Sequence, residues 1–340
     1  MPALPETAPP SRPRTASRTI AVIYNPVKVK REELSAALDA GRGSWGEPMW
    51  LETTEDDAGE KVTARAVKAG VDLVIAAGGD GTVRAVAESL RGTGIPLALV
   101  PSGTGNLLAR NLELTLNDLS DAIDVALNGV DRTIDIGVID IHRQDGTSDQ
   151  HAFLVMAGAG VDAKMVENTN EELKKRVGWL AYVDAISRAM RDTSQLNIRR
   201  RLDNGPTRSI RAHTLIVGNC GSLPANMVLM PEASIDDGVF DIAFLRPNGF
   251  FGWVQIWIKV AWENGILRRT KIGRKLTRDS KPIRALEYTT ASSIDVEFTR
   301  AEALELDGDG FGTTVGFTAR IDPLALTVRM PAPDPAAALD

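Results

Sequence analysis

Gly78-Gly-Asp-Gly-Thr82 follows a short apolar run, Leu73 to Ala77, and places a single carboxylate, Asp80, among three glycines. Glycine allows close backbone approach, and N–H groups at the start of a helix face an anion that the helix dipole also favours. A carboxylate in such a turn suits magnesium, which takes one or two carboxylates together with phosphate oxygens. The chemistry implied is phosphate and metal binding. A second unit, Ser102-Gly-Thr-Gly-Asn106, repeats the order strand, glycine turn, helix. Two such turns at neighbouring strand ends make a cradle for a nucleotide, whereas a single turn would leave Asp80 readable as a simple helix cap.

Other phosphate and metal motifs fail on detail. The chain lacks G-x-x-x-x-G-K-[ST], H-R-D and D-F-G, which excludes P-loop enzymes and protein kinases. Gly158-Ala-Gly-Val-Asp-Ala163 imitates a dinucleotide fingerprint, yet the acidic residue that should end a strand, Asp184, falls in a helical pattern. Asp307-Gly-Asp-Gly310 opens like a calcium loop, but Phe311 takes the third ligand position and no glutamate closes it.

The order Gly78-Gly-Asp-Gly-Thr82, Pro101-Ser-Gly-Thr-Gly-Asn106, Pro231-Glu-Ala-Ser-Ile-Asp-Asp-Gly238 and Leu306-Asp-Gly-Asp309 resembles the diacylglycerol kinase and sphingosine kinase family of lipid kinases, over about residues 19–330. The first motif is shared with NAD kinases and phosphofructokinases; the last two narrow the resemblance to lipid kinases. The fold implied is an α/β, doubly wound nucleotide domain followed by an antiparallel β-sandwich domain, with the last strand, Leu324 to Met330, returning to the first domain. The activity implied is ATP- and magnesium-dependent transfer of the γ-phosphoryl group to the hydroxyl of diacylglycerol or a related lipid alcohol.

By the same resemblance, ATP is held by Asn25, Thr54, Gly78, Gly79, Asp80, Gly81, Thr82, Val83, Arg84, Ala85, Gly103, Thr104, Gly105 and Asn106, with Asp80 beside the triphosphate and its magnesium. Asp309 is the base that takes the hydroxyl proton, where the family usually carries glutamate. Asp162 meets the substrate head group, and Asp135 belongs to an acidic charge network behind the site. Asp237, with the carbonyls of Ser234 and Val239, holds a structural magnesium; read on its own, Asp236-Asp-Gly238 is a hairpin turn. Arg84-Ala85 stands where an asparagine–glutamate pair is common, and Arg84 is placed to pair with Asp80 or reach a phosphate. Val27-Lys-Val-Lys30 replaces the usual serine and glycine after Asn25-Pro26. An NAD kinase-like enzyme on a soluble substrate, and a catalytically weak nucleotide or lipid sensor, are the competing readings.

The elements that must position these residues follow from periodicity. Thr19 to Tyr24, Val71 to Ala77 and Ile95 to Val100 read as buried strands, while Arg31 to Ala40, Ala58 to Ala69, Val83 to Leu90 and Leu107 to Asn111 read as helices. Strands alternating with helices predict a parallel sheet with its ligand at the strands' carboxyl ends. Strand-like runs then dominate: Ala152 to Met156, Ser194 to Arg200, His213 to Val217, Val239 to Phe244, Ser293 to Phe298 and Ala325 to Met330. Helical stretches at 171–190 and 252–262 interrupt them. The division expected is a disordered arm at 1–18, an ATP domain at 19–137 joined by 321–330, a lipid-substrate domain at 138–320 and a frayed tail at 331–340.

With 340 residues, 43% hydrophobic and 25% charged, the chain is long enough for two cores. One cysteine, Cys220, rules out an internal disulfide and reads as a core residue, with a reducing cytoplasm as the expected setting. A net charge of −6 argues against general nucleic-acid binding. No window reaches the length of a spanning helix, so membrane contact is expected to be peripheral, on the inner face. The aromatic run Phe250 to Trp262 and the basic stretch Arg268 to Arg284 suit such docking. A homodimer is left open.

Overall fold

The computed structural model describes residues 17–160, 195–223, 227–228, 230, 232–247, 252 and 286–333. Its first half alternates β1 (Ile20–Tyr24), α1 (Arg31–Gly41), β2 (Met49–Glu52), α2 (Glu60–Ala69), β3 (Leu73–Gly78), α3 (Asp80–Leu90), β4 (Leu97–Pro101), α4 (Leu107–Asn111) and α5 (Leu119–Asn128). The four strands pair in parallel in the order β4-β3-β1-β2. Every residue of β1 and β3 is buried because helices cover both faces of the sheet. Leu34, Leu38, Ile123 and Leu127 of α1 and α5 pack on one face, and Val62, Ala66, Val86 and Leu90 of α2 and α3 on the other.

The second half contains β5 (Val130–His142), β6 (Ser148–Phe153), β7 (Met156–Ala159), β8 (Leu196–Leu202), β9 (Arg208–Ala212), β10 (Thr214–Gly218), β11 (Ser222–Leu223), β12 (Met227–Val228), β13 (Phe240–Leu245), β14 (Leu286–Ala291), β15 (Ser293–Leu306) and β16 (Asp309–Met330). Phe153, Phe240, Phe244 and Phe317 form the centre of its own apolar core. The expected mixture of an α/β half and an antiparallel β-rich half is present, with Cys220 buried as expected. The helices expected at 171–190 and 252–262 fall almost wholly outside the described residues, as do Asp162 and nearly all of 250–284.

The long partners β5 and β16 run antiparallel through both halves, and Val328 at the end of β16 pairs in parallel with Leu97 of β4. Their register shifts between Asp322 and Leu326. There Asp135, fully buried, accepts hydrogen bonds from the N–H of Leu324 and the N–H of Gly238, each 2.7 Å long. Among the described residues the partners of the Asp135 carboxylate are these two backbone donors, which satisfy it in its buried setting. Asparagine at this position has one acceptor oxygen and would aim its amide at the second N–H. Asp135→Asn is expected to destabilise the protein by about 2–4 kcal/mol in urea unfolding.

The run read as one strand from Ala152 to Met156 is broken. Leu154 and Val155 leave the ladder because their N–H groups are taken by the two oxygens of Asp307, each at 2.8 Å. β5, β9, β14, β2, α5 and all of β6 before Ala152 were not foreseen; α5 opens on Asp118, whose carboxylate accepts from the N–H of Asp121.

Candidate active site

Parallel pairing puts the carboxyl ends of β2, β1, β3 and β4 in one row, so Thr54, Asn25 and both glycine turns share an edge of the sheet. The turns after β3 and β4 are in contact. Ser102 N–H donates to the Gly78 carbonyl at 3.0 Å, and a Cβ on Gly103 would lie 2.7 Å from the Cα of Gly79. A side chain at Gly103 would collide with the backbone of the first turn, whereas one at Gly79 would make an ordinary contact.

Asp80, the first residue of α3, crosses to the other turn instead of capping its own helix. Its Oδ2 accepts from Asn106 N–H at 2.9 Å and its Oδ1 from Leu107 N–H at 2.5 Å, which fixes the start of α4. Asn106 takes a left-handed φ of 48° and clamps Gly103 by both its amide oxygen, at 2.9 Å, and its amide nitrogen, at 3.0 Å. Burial raises the Asp80 pKa; the N–H groups of Leu107 and Asn106 oppose that rise, and Asp309 adds to it.

The other nucleotide candidates divide by exposure. Thr104 is exposed and Gly79, Gly81, Gly103 and Gly105 are half-buried, while Thr82, Val83, Arg84 and Ala85 are buried along α3. Val83 gives its N–H to the Gly79 carbonyl and its side chain to the core. The side chain of Asn25 accepts from Val27 N–H at 3.0 Å, holding the loop that contains Lys28. Thr54 is exposed in a short bridge with Asp57, and the neighbouring Thr53 is the buried one.

The Asp307-Gly-Asp309 motif of the second half reaches the same edge as a hairpin. Asp307 and Gly308 form the tight turn between β15 and β16 with φ of 51° and 89°, both left-handed. Asp307 locks that turn by accepting from Leu154, Val155 and Met156 N–H. Burial pushes its pKa up to about 6 against the pull of those three donors. Asp309 then faces the start of α3: a Cβ on Gly81 would stand 2.7 Å from its Oδ2. Residue Asp309 as a whole is exposed, but the atoms packed around its carboxyl raise its pKa while Arg84 lowers it.

Two participants were missed by the sequence reading. Phe311 lies with its ring under the Arg84 guanidinium, 4.6 Å from the ring centroid. Glu305 pairs across the sheet with Gly310 on one side and Gly158 on the other, and burial together with Asp309 pushes its pKa up to about 6. The signal for Glu305 was its place between Leu304 and Leu306, since alternation turns it away from the apolar core. Its folded pKa lies above its ordinary 4.5, so folding favours the protonated form and stability is lost as pH rises from about 4.5 to 6. Glu305→Gln is expected to raise stability by about 1 kcal/mol or less at pH 7.5, because water reaches and screens this half-buried carboxyl, and to change it little at pH 4, in paired urea titrations.

Arg84 does not pair with Asp80; it meets Glu88 at 3.6 Å. Asp237 is exposed and accepts from Val239 N–H at 3.2 Å, and the Ser234 hydroxyl donates to Asp236, which pairs with Arg132. Among the described residues no group of three or more His, Cys, Asp or Glu side chains is gathered for a metal. A single-carboxylate arrangement at Asp80 still fits a magnesium ion that arrives with nucleotide phosphates and takes its remaining ligands from them.

An α/β domain with paired glycine turns, met by an acidic hairpin from a β-rich half, defines a kinase fold of the diacylglycerol kinase type. Residues 19–139 match the diacylglycerol kinase catalytic domain, and residues 155–261 match the YegS C-terminal NAD kinase beta sandwich-like domain. A Pseudomonas aeruginosa protein described as "Probable lipid kinase YegS-like" is 29% identical over 314 residues, covering 89% of this chain and 91% of that protein. One of the same description from Pseudomonas putida is 30% identical, covering 67% of this chain and 74% of its own length. A crystal structure of a diacylglycerol kinase from Bacillus anthracis superposes with a TM-score of 0.62 at 20% identity, covering 95% and 99% of the two chains. The chain belongs to the YegS-like lipid kinase family.

Proposed function

We propose that this protein transfers the γ-phosphoryl group of ATP to the hydroxyl of diacylglycerol or a similar lipid alcohol, with Asp309 as general base. The observation that carries the reading is the approach of Asp309 to Gly81, which brings a carboxylate to the edge of the phosphate cradle. The cradle side is built from Asp80 and the two glycine turns, which are tied together by the hydrogen bonds of Asp80 and Asn106. Magnesium held with the nucleotide by Asp80 would neutralise phosphate charge, the main demand of phosphoryl transfer. Asp309 takes the proton from the acceptor oxygen, because a neutral alcohol is a poor nucleophile.

Among the described residues no helix is long and apolar enough to cross a membrane. The aromatic and basic composition of 250–284 supports peripheral docking on an anionic leaflet. The test is incubation with labelled ATP, magnesium and vesicles containing diacylglycerol, sphingoid or prenol acceptors. Label is expected in the organic extract. Label on NAD without vesicles would replace the lipid reading with a soluble-substrate kinase, and no labelled product at all would leave a binding protein.

A further inference from the structure

We infer that Arg84 is a positioning residue: stacked on Phe311, it docks the β15–β16 hairpin on α3 and thereby sets where Asp309 stands at the nucleotide cradle. The inference rests on the lipid kinase reading for its kinetic test, and on geometry alone for its physical content.

The geometry is a two-point contact. Gly81 and Arg84 are three residues apart on α3 and share a helix face. Asp309 and Phe311 are two apart on β16 and share a strand face. Gly81 meets Asp309, where a Cβ would be 2.7 Å from Oδ2, and Arg84 meets Phe311 at 4.6 Å. One helix face and one strand face therefore touch at two successive positions, and the second contact fixes the distance and angle of the first.

Both partners are held from behind. The Phe311 ring meets His151 edge-on at 4.8 Å, and its carbonyl accepts from Arg143 Nη1 at 2.7 Å. Arg84 is 6% exposed and meets Glu88, whose Oε2 also accepts from Ala152 N–H at 3.0 Å. The arginine's Nε and Nη1 find no hydrogen-bond partner among the described residues. The unmade hydrogen bonds are a cost of burying this cation, so hydrogen bonding is not what holds it there. Its retained work is the planar stack, which orients a ring, together with a positive charge beside Asp309.

The experiment is a double-mutant cycle of wild type, Arg84→Met, Phe311→Leu and the double variant, with Phe311→Tyr as the conservative control. Each single substitution is expected to lower kcat by about 10- to 100-fold, as misplacement of a reacting group does, with KM for ATP within about two-fold. The double variant should fall no further than the worse single variant, and Phe311→Tyr should keep most of the rate. Multiplying losses, kcat unchanged in both singles, or a Tyr variant as poor as Leu would each overturn the inference. The same four proteins are melted in parallel, and non-additive Tm shifts are expected. If wild type labels no lipid, the kinase reading falls, and the clasp then stands or falls on whether those Tm shifts are additive.

Discussion

Asp309→Asn is expected to lower lipid phosphorylation by about 10²- to 10⁴-fold while leaving the fold intact. The rate loss follows from the proton: asparagine keeps the size and the hydrogen-bonding shape of the side chain but cannot accept a proton from the acceptor hydroxyl. The fold is spared because Asp309 is exposed at the start of β16, and the turn before it is locked by Asp307 rather than by Asp309. Unfolding free energy is expected to move by less than about 0.5 kcal/mol, the usual range for exposed substitutions. Asp309→Glu separates the kinase from a binding-only protein. A longer side chain would drive its carboxyl toward the Gly81 backbone, so a working enzyme should lose activity. A gain in activity from an inert wild type would instead support a sensor whose base is too short.

The parallel domain was legible because its signals are local: apolar runs ending in glycine, each followed by a helical period, need no distant partner to be read. The two turns were likewise visible as a pair at Gly78–Thr82 and Ser102–Asn106. What Asp80 does within them was not. Its partners, Asn106 and Leu107, lie on the next βα unit, and only the sheet order brings them within 2.9 Å and 2.5 Å. The break at Leu154 and Val155 was hidden for the same reason, since the carboxylate that removes their N–H groups from the ladder is Asp307, about 150 residues away. Of the two expectations for Arg84, the pair with Asp80 was suggested by the one helical turn between them and is not made. Its real neighbours are Glu88 on the same helix and Phe311 from the far half. Long-range carboxylate-to-backbone contacts carry no periodicity, so Asp135 and Asp307 revealed their settings only in the folded chain.

Asp80→Asn should differ from Asp309→Asn in kind. Each oxygen of Asp80 takes one backbone N–H, so asparagine satisfies one donor and confronts the other with its own amide. Leaving that buried N–H unmade is expected to cost about 1–3 kcal/mol, concentrated at the start of α4 and at the Gly103 turn that Asn106 clamps. Activity should fall by about 10²- to 10³-fold or more, because a charged group facing the phosphates is lost and the cradle it orders is loosened at once. Thermal shift with ATP and magnesium separates the two variants. Asp309→Asn should keep the nucleotide-dependent rise in Tm, since the base is not needed for binding, whereas Asp80→Asn should lose most of it. Retention of that rise in Asp80→Asn would remove Asp80 from the nucleotide and its metal and leave it as a brace between two turns. The cradle would then have to rest on the backbone N–H groups of the glycine turns alone, a preformed anion site that needs no carboxylate to bind phosphate.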